Sequence, residues 1–171
     1  MEAPLGYRCL KVSIIPVIHT LLIDHVSEVR TAACTTLLRI AKLMQPDDIA
    51  AVLLTLVLNL AHDQRDDTRT TAVHLMNVLA PLFGAPLCQN FIALELAAFA
   101  DDSTFRVRKA TAQSFGQVCQ TVGGEFTVSK LLPHFVRLSR DFIWGVRKGC
   151  VESMVAVAAV CPDEVSCSEE P

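Results

Sequence analysis

Aromatic residues make up only 6% of this sequence, with a single tryptophan and a single tyrosine among them. Any core must therefore come from Leu, Val, Ile and Ala, as in packed helices whose small side chains let backbones approach. No apolar run reaches the roughly 20 residues that a membrane-spanning helix needs. The run from Ile49 to Ala61 is short and broken by Asn59, and Pro16 and His19 interrupt the apolar stretch after Arg8 and Lys11. Secretion is not expected, and the chain reads as cytoplasmic or nuclear. The seven cysteines, Cys9, Cys34, Cys88, Cys119, Cys150, Cys161 and Cys167, form no C-x-x-C pair. They read as small buried residues in a reducing compartment. His19, His25, His62, His74 and His134 form no H-E-x-x-H motif, and Gly123-Gly124 lacks a phosphate-binding lysine. Neither a metal site, a cofactor nor a catalytic constellation is expected. Net charge is −3, with bases alternating with acids, so there is no stripe for nucleic acid or an anionic membrane.

What the chain does hold is a repeat. Counting back from Arg147 in steps of thirty-nine lands on Arg108, Arg69 and Arg30, and from Asp141 on Asp102, Asp63 and Asp24. Val146, Val107 and Val29 precede the arginine, with Thr68 as the one departure. Met154, Phe115, Met76 and Leu37 share another column. A period near forty residues predicts a solenoid of stacked units. Within each unit, apolar spacings of three and four predict helices, as at Ile14, Ile15, Ile18, Leu21 and Leu22.

The expected fold is all-α, an alpha-alpha superhelix of four antiparallel helix pairs. The array runs over 11–161, in copies of about 11–46, 47–86, 87–125 and 126–161. A ragged N-terminus (1–10) precedes it and a disordered acidic tail (162–171) follows. Ser27 reads as an N-cap, Pro46 as a stop, Pro81 and Gly84 as an interruption, and Gly123-Gly124 as a helix end. Each turn aspartate is expected to accept the free N–H groups opening the second helix. Each arginine is expected to reach an aspartate of its own or the next copy, forming a structural ladder. The last helix, nearly all apolar from Val151 to Val160, predicts an exposed face and self-association through the end helices.

Two-helix units of this length, with Asp in the turn and Val-Arg opening the second helix, resemble HEAT repeats. Three strings, Phe105-Arg106-Val107-Arg108-Lys109-Ala110, Leu131-Leu132-Pro133-His134-Phe135 and Trp144-Gly145-Val146-Arg147-Lys148-Gly149-Cys150, are similar to repeats of phosphatase 4-type regulatory subunits. More distantly, they resemble the phosphatase 2A scaffold. The resemblance implies a non-catalytic regulatory or scaffold subunit that binds and positions a serine/threonine phosphatase catalytic subunit. That family carries more repeats, so a shortened form or shorter relative is expected. It further implies a ridge of turns as the partner surface, which points to Arg65, Phe105, Arg106, Arg140 and Trp144. Trp144 and Phe105 share a column held by Ser27 and Asp66 in the earlier copies, and Trp and Arg dominate binding hot spots. The alternative readings are a general HEAT adaptor with another partner and a truncated product without a partner surface.

Overall fold

A computed structural model describes residues 5–161. The expected disordered tail, 162–171, lies outside the described residues, as do the first four residues of the expected ragged start. The described residues form helices and turns, without strands. In chain order the helices are α1 (Leu5–Cys9), α2 (Ile15–Leu22), α3 (Ser27–Ala41), α4 (Pro46–Asp48), α5 (Thr55–Ala61) and α6 (Asp66–Leu87). They continue as α7 (Ala93–Phe99), α8 (Phe105–Val122), α9 (Gly124–Phe126), α10 (Leu132–Leu138) and α11 (Trp144–Ala158). The long second helices α3, α6, α8 and α11 begin at Ser27, Asp66, Phe105 and Trp144, each thirty-nine residues after the last.

The first helix of every pair contains a wider π-helical turn, beginning at Leu10, Ile49, Cys88 and Thr127, again at steps of thirty-nine. Pro16 and Pro133 follow this turn in the first and fourth copies, where a missing N–H suits looser winding. Thr55 and Leu94 occupy the same column in the other two, so proline is not the cause of the turn. Three local expectations need correcting. Residues 5–10 are helical and lead directly into the first pair. Ser27 is the first residue of α3, not its cap; the cap position is Val26, without a side-chain bond. Pro81 does not stop α6, which runs on to Gly84, where φ is 73°. A helix tolerates one missing bond more readily than a left-handed residue. By length and composition Asp66–Phe99 could cross a membrane, but this break divides it.

The chain divides into two compact units, 1–75 and 76–171. In the first, Leu22, Leu37, Leu53 and Val57 are fully buried. The only tyrosine fastens α1 to α4: the Tyr7 hydroxyl donates to Asp48 Oδ2 at 2.6 Å and accepts the Gln45 N–H at 2.8 Å, while Lys11 Nζ donates to Asp48 Oδ1 at 2.7 Å. In the second, Leu96, Phe115, Val118 and Leu138 form the core, and the Phe115 and Phe135 rings lie 5.3 Å apart. Helices α8 and α11 meet along small residues. Ser153 Oγ donates to the Ala112 carbonyl at 2.7 Å, and Gly116 and Gly149 lie in the seam. The outer face of α11 is open, with Val151 64% and Val155 80% exposed, whereas their column mates in α8, Ala112 and Gly116, are buried under α11.

Thr68, the departure in the valine column, is fully buried and its hydroxyl has no hydrogen-bond partner among the described residues. An unpaired buried hydroxyl costs about 1–3 kcal/mol, and valine has nearly the same shape. Thr68→Val is therefore expected to raise the melting temperature by about 2–4 °C for each kcal/mol recovered. Calorimetry checks this, and a lower melting temperature would show that the hydroxyl is satisfied after all.

Candidate functional site

The turns between paired helices are built alike. In each, the aspartate Oδ1 accepts the N–H of the residue two positions on: Val26 at 2.8 Å, Arg65 at 2.7 Å, Thr104 at 2.8 Å and Ile143 at 2.8 Å. This differs from the expectation that the carboxylate would take the first N–H groups inside the helix. A two-residue reach closes a small ring that sets the turn before the helix begins. The arginine six positions on then donates from Nη1 to the carbonyl of that aspartate: Arg30 at 2.7 Å, Arg69 at 3.1 Å, Arg108 at 2.8 Å and Arg147 at 2.8 Å. The column thus ties each turn back to its own second helix, through backbone oxygens more than through carboxylates.

Contacts between successive copies differ. Arg30 Nη2 reaches Asp67 at 3.6 Å and not the aspartate of the register, Asp63. In the second unit Arg108 meets Asp141 in a bidentate pair, Nε to Oδ2 at 2.7 Å and Nη2 to Oδ1 at 3.3 Å. These side chains are only 9% and 8% exposed. Burial by itself would raise the Asp141 pKa. The Arg108 hydrogen bonds, the Ile143 N–H and the charges of Arg108 and Arg147 outweigh it and hold the carboxyl below its ordinary range. Every polar atom of this buried pair is therefore matched, which keeps the turn rigid.

Of the residues singled out as a partner surface, Trp144 is 71% exposed and Phe105 44%. Both begin a second helix. Arg106 and Arg140 are exposed in the same unit. Arg65 lies in the other unit, where its Nη1 donates to the Ile23 carbonyl at 3.2 Å and bridges to the preceding turn. Phe142 was not anticipated. It is 83% exposed, and the Arg108 guanidinium sits 5.4 Å from its ring centroid. Its signal lay in the repeat register, where His25, Gln64 and Ser103 fill the same column with polar groups. Phe142 and Trp144 are thus two exposed aromatics, two residues apart in the turn held by the buried pair, a combination suited to anchoring another protein.

The expectation that the cysteines are small buried residues holds for part of the set: Cys9 is exposed on the first helix, and Cys167 lies outside the described residues. Cys88, Cys119 and Cys150 are buried, and Cys34 and Cys161 are half-buried. Burial pushes the Cys34, Cys88, Cys119 and Cys150 thiols up to about 11. They stay protonated, and therefore unreactive, near neutrality.

Comparison with known proteins agrees with this architecture. Residues 10–84 match the family model of the PPP2R1A-like HEAT repeat. Serine/threonine-protein phosphatase 4 regulatory subunit 1 from Mus musculus is 32% identical over 156 residues, covering 89% of this chain. The Homo sapiens protein matches to the same extent. The chain spans 16% of the length of these relatives. Among solved structures, an engineered protein superposes with a TM-score of 0.55 at 15% identity, over 86% of this chain and 63% of its own. A designed armadillo repeat protein in complex with the peptide (KR)4 gives a TM-score of 0.55 at 19% identity, over 89% of this chain and 67% of its own. Helix pairs, repeat register and relatives lead to one classification: the chain is a HEAT-repeat protein that resembles serine/threonine-protein phosphatase 4 regulatory subunit 1 along most of its own length.

Proposed function

We propose that this chain is a non-catalytic regulatory or scaffold subunit of a serine/threonine protein phosphatase, binding a catalytic subunit of the phosphatase 4 type through its turns. The observation that carries this reading is the 32% identity maintained over 89% of the chain to a phosphatase 4 regulatory subunit. The turns support it physically. They are held by the aspartate–arginine bonds, and in the second unit they display Phe105, Phe142 and Trp144 to solvent. Aromatic groups on a rigid support lose little conformational entropy on binding, which favours them as anchors. Any effect on dephosphorylation arises from positioning the catalytic subunit and its substrates.

A pull-down of purified phosphatase 4 catalytic subunit by the chain tests this, beside a Trp144→Ala, Arg140→Ala variant. Capture is expected, weakened by about 2 kcal/mol or more in the variant if the turn is a hot spot. Failure of the folded wild-type chain to capture it would overturn the reading. Equal capture by the variant would move the contact away from these turns.

A further inference from the structure

We infer that the turns of the third and fourth copies form a docking surface for an acidic segment carrying a large apolar anchor. The inference rests on the proposed reading of the turns as a partner surface and adds the chemistry of what they take. Although the chain carries a net charge of −3, the matching turn stretches are polarised. Stretches 101–109 and 140–148 hold six basic and three acidic residues, and the equivalent 23–31 and 62–70 hold three basic and five acidic. The helix starts change in the same sense. Helices α3 and α6 have Glu28, Asp66 and Asp67 in their first turns, whereas α8 and α11 have no acidic residue there. They open instead with Phe105-Arg106 and Trp144-Gly145.

The second unit carries this positive charge on turns that also expose Phe142 and Trp144. A Cβ placed on Gly145 would lie 3.8 Å from Lys109 Cδ, so the Lys109 stem runs beside the start of α11, where its charge also acts on the Glu152 carboxylate. Phe142 is backed by Arg108, and Asp141, the one acid of this turn, is consumed by the buried pair. The exposed Arg140 guanidinium makes no hydrogen bond or ion pair among the described residues. What remains for a partner is therefore basic and aromatic. Carboxylates would pair with Arg140 and Lys109 while an apolar side chain covers Phe142 and Trp144. A basic segment would meet like charge.

Trp144 is the only tryptophan, so the full chain reports on its own docking surface through fluorescence. The probe is a short synthetic peptide of glutamate and aspartate around one Leu-Phe pair, free of Trp and Tyr. Two controls keep the Leu-Phe pair with lysine and arginine around it, or keep the acids with Gly-Ser in its place. The acidic Leu-Phe peptide is expected to give a saturable blue shift. Its affinity should fall about tenfold in a Lys109→Ala, Arg140→Ala variant and should weaken with salt. No shift with this peptide, or an equal response to the basic control, overturns the inference. Adding the peptides to the catalytic-subunit pull-down separates the two ideas. Capture that the acidic peptide cannot compete away sinks the acidic class and leaves the scaffold reading intact. Peptide binding without capture sinks the phosphatase partner and leaves the docking surface.

Discussion

Asp141→Ala is expected to destabilise the chain by about 3–5 kcal/mol, because it strands the Arg108 guanidinium in a buried site. Arg108 is 9% exposed and is paired with the Asp141 carboxylate, while Asp141 also accepts the Ile143 N–H. A total stability of about 5–15 kcal/mol for a chain of this size makes such a loss a large fraction of the whole. The equivalent Asp24→Ala is expected to cost only about 1 kcal/mol. Its carboxylate accepts the Val26 N–H, but its side chain is 28% exposed and no arginine is bound to it. Urea unfolding of both variants measures the contrast. Equal losses at the two positions would mean that burial of the pair does not matter. If Asp141→Ala does not fold, Asp141→Asn keeps one oxygen to accept the Ile143 N–H, loses the charge and one of the two acceptors for Arg108, and should show an intermediate loss. The acid dependence follows from the same pair. The folded Asp141 pKa lies below the unfolded value, so its contribution is fully present near neutrality. It disappears as pH falls below about 4 and the carboxyl takes up a proton in the folded state. The stability gap between the wild type and Asp141→Asn should stay constant from neutral to mildly acidic pH and shrink below that range.

Gly116→Ala is expected to destabilise by about 1–3 kcal/mol, although alanine is the better helix former by about 1 kcal/mol. A Cβ at Gly116 would lie 2.8 Å from Ala156 Cβ and 3.5 Å from the Ser153 carbonyl. Neither neighbour is the end of a flexible side chain, so α8 and α11 must separate. Separation strains the Ser153 bond to Ala112 and opens gaps along the seam. Gly149 faces a related limit, with Ala112 Cβ and the Lys109 carbonyl each 3.1 Å from a Cβ placed there. Gly6 is the control: nothing lies within 4 Å of its added Cβ, so Gly6→Ala should be neutral or slightly stabilising. Adding Ala156→Gly to Gly116→Ala should recover most of the loss, since the two positions share one contact. Thermal unfolding of this set decides it. A Gly116→Ala protein as stable as the wild type would show that the seam can widen freely.

The extent of sequence legibility can be traced through single columns. Asp24, Asp63, Asp102 and Asp141 were visible because a strict repeat forces chemically equivalent turns into register. Their bond to the residue two positions on was less visible, because the same residue type can cap a helix or close a turn before it. The partner of each arginine was visible only in part: Arg108 meets Asp141, the register aspartate of the next copy, as the spacing predicts. Register alone offered Asp63 to Arg30, yet the nearest carboxylate is Asp67. Sub-ångström packing between copies decides such choices, and one-dimensional spacing does not record it. The π-helical turns were equally hidden, since Pro16, Thr55, Leu94 and Pro133 share their column without sharing a chemistry.

By itself, then, the sequence determined a chain of helix pairs with an aspartate and an arginine at every turn. Helical periodicity and a thirty-nine-residue register are local properties, repeated often enough to be read without coordinates. The tertiary structure alone decided which equivalent residues are unequal. Met154 is 45% exposed where Phe115 is fully buried, Thr68 is buried without a hydrogen-bond partner among the described residues, and Phe142 stands 83% exposed over Arg108. The physical reason is that burial depends on what covers a residue from other segments, and positions that the register makes identical are covered differently in each copy.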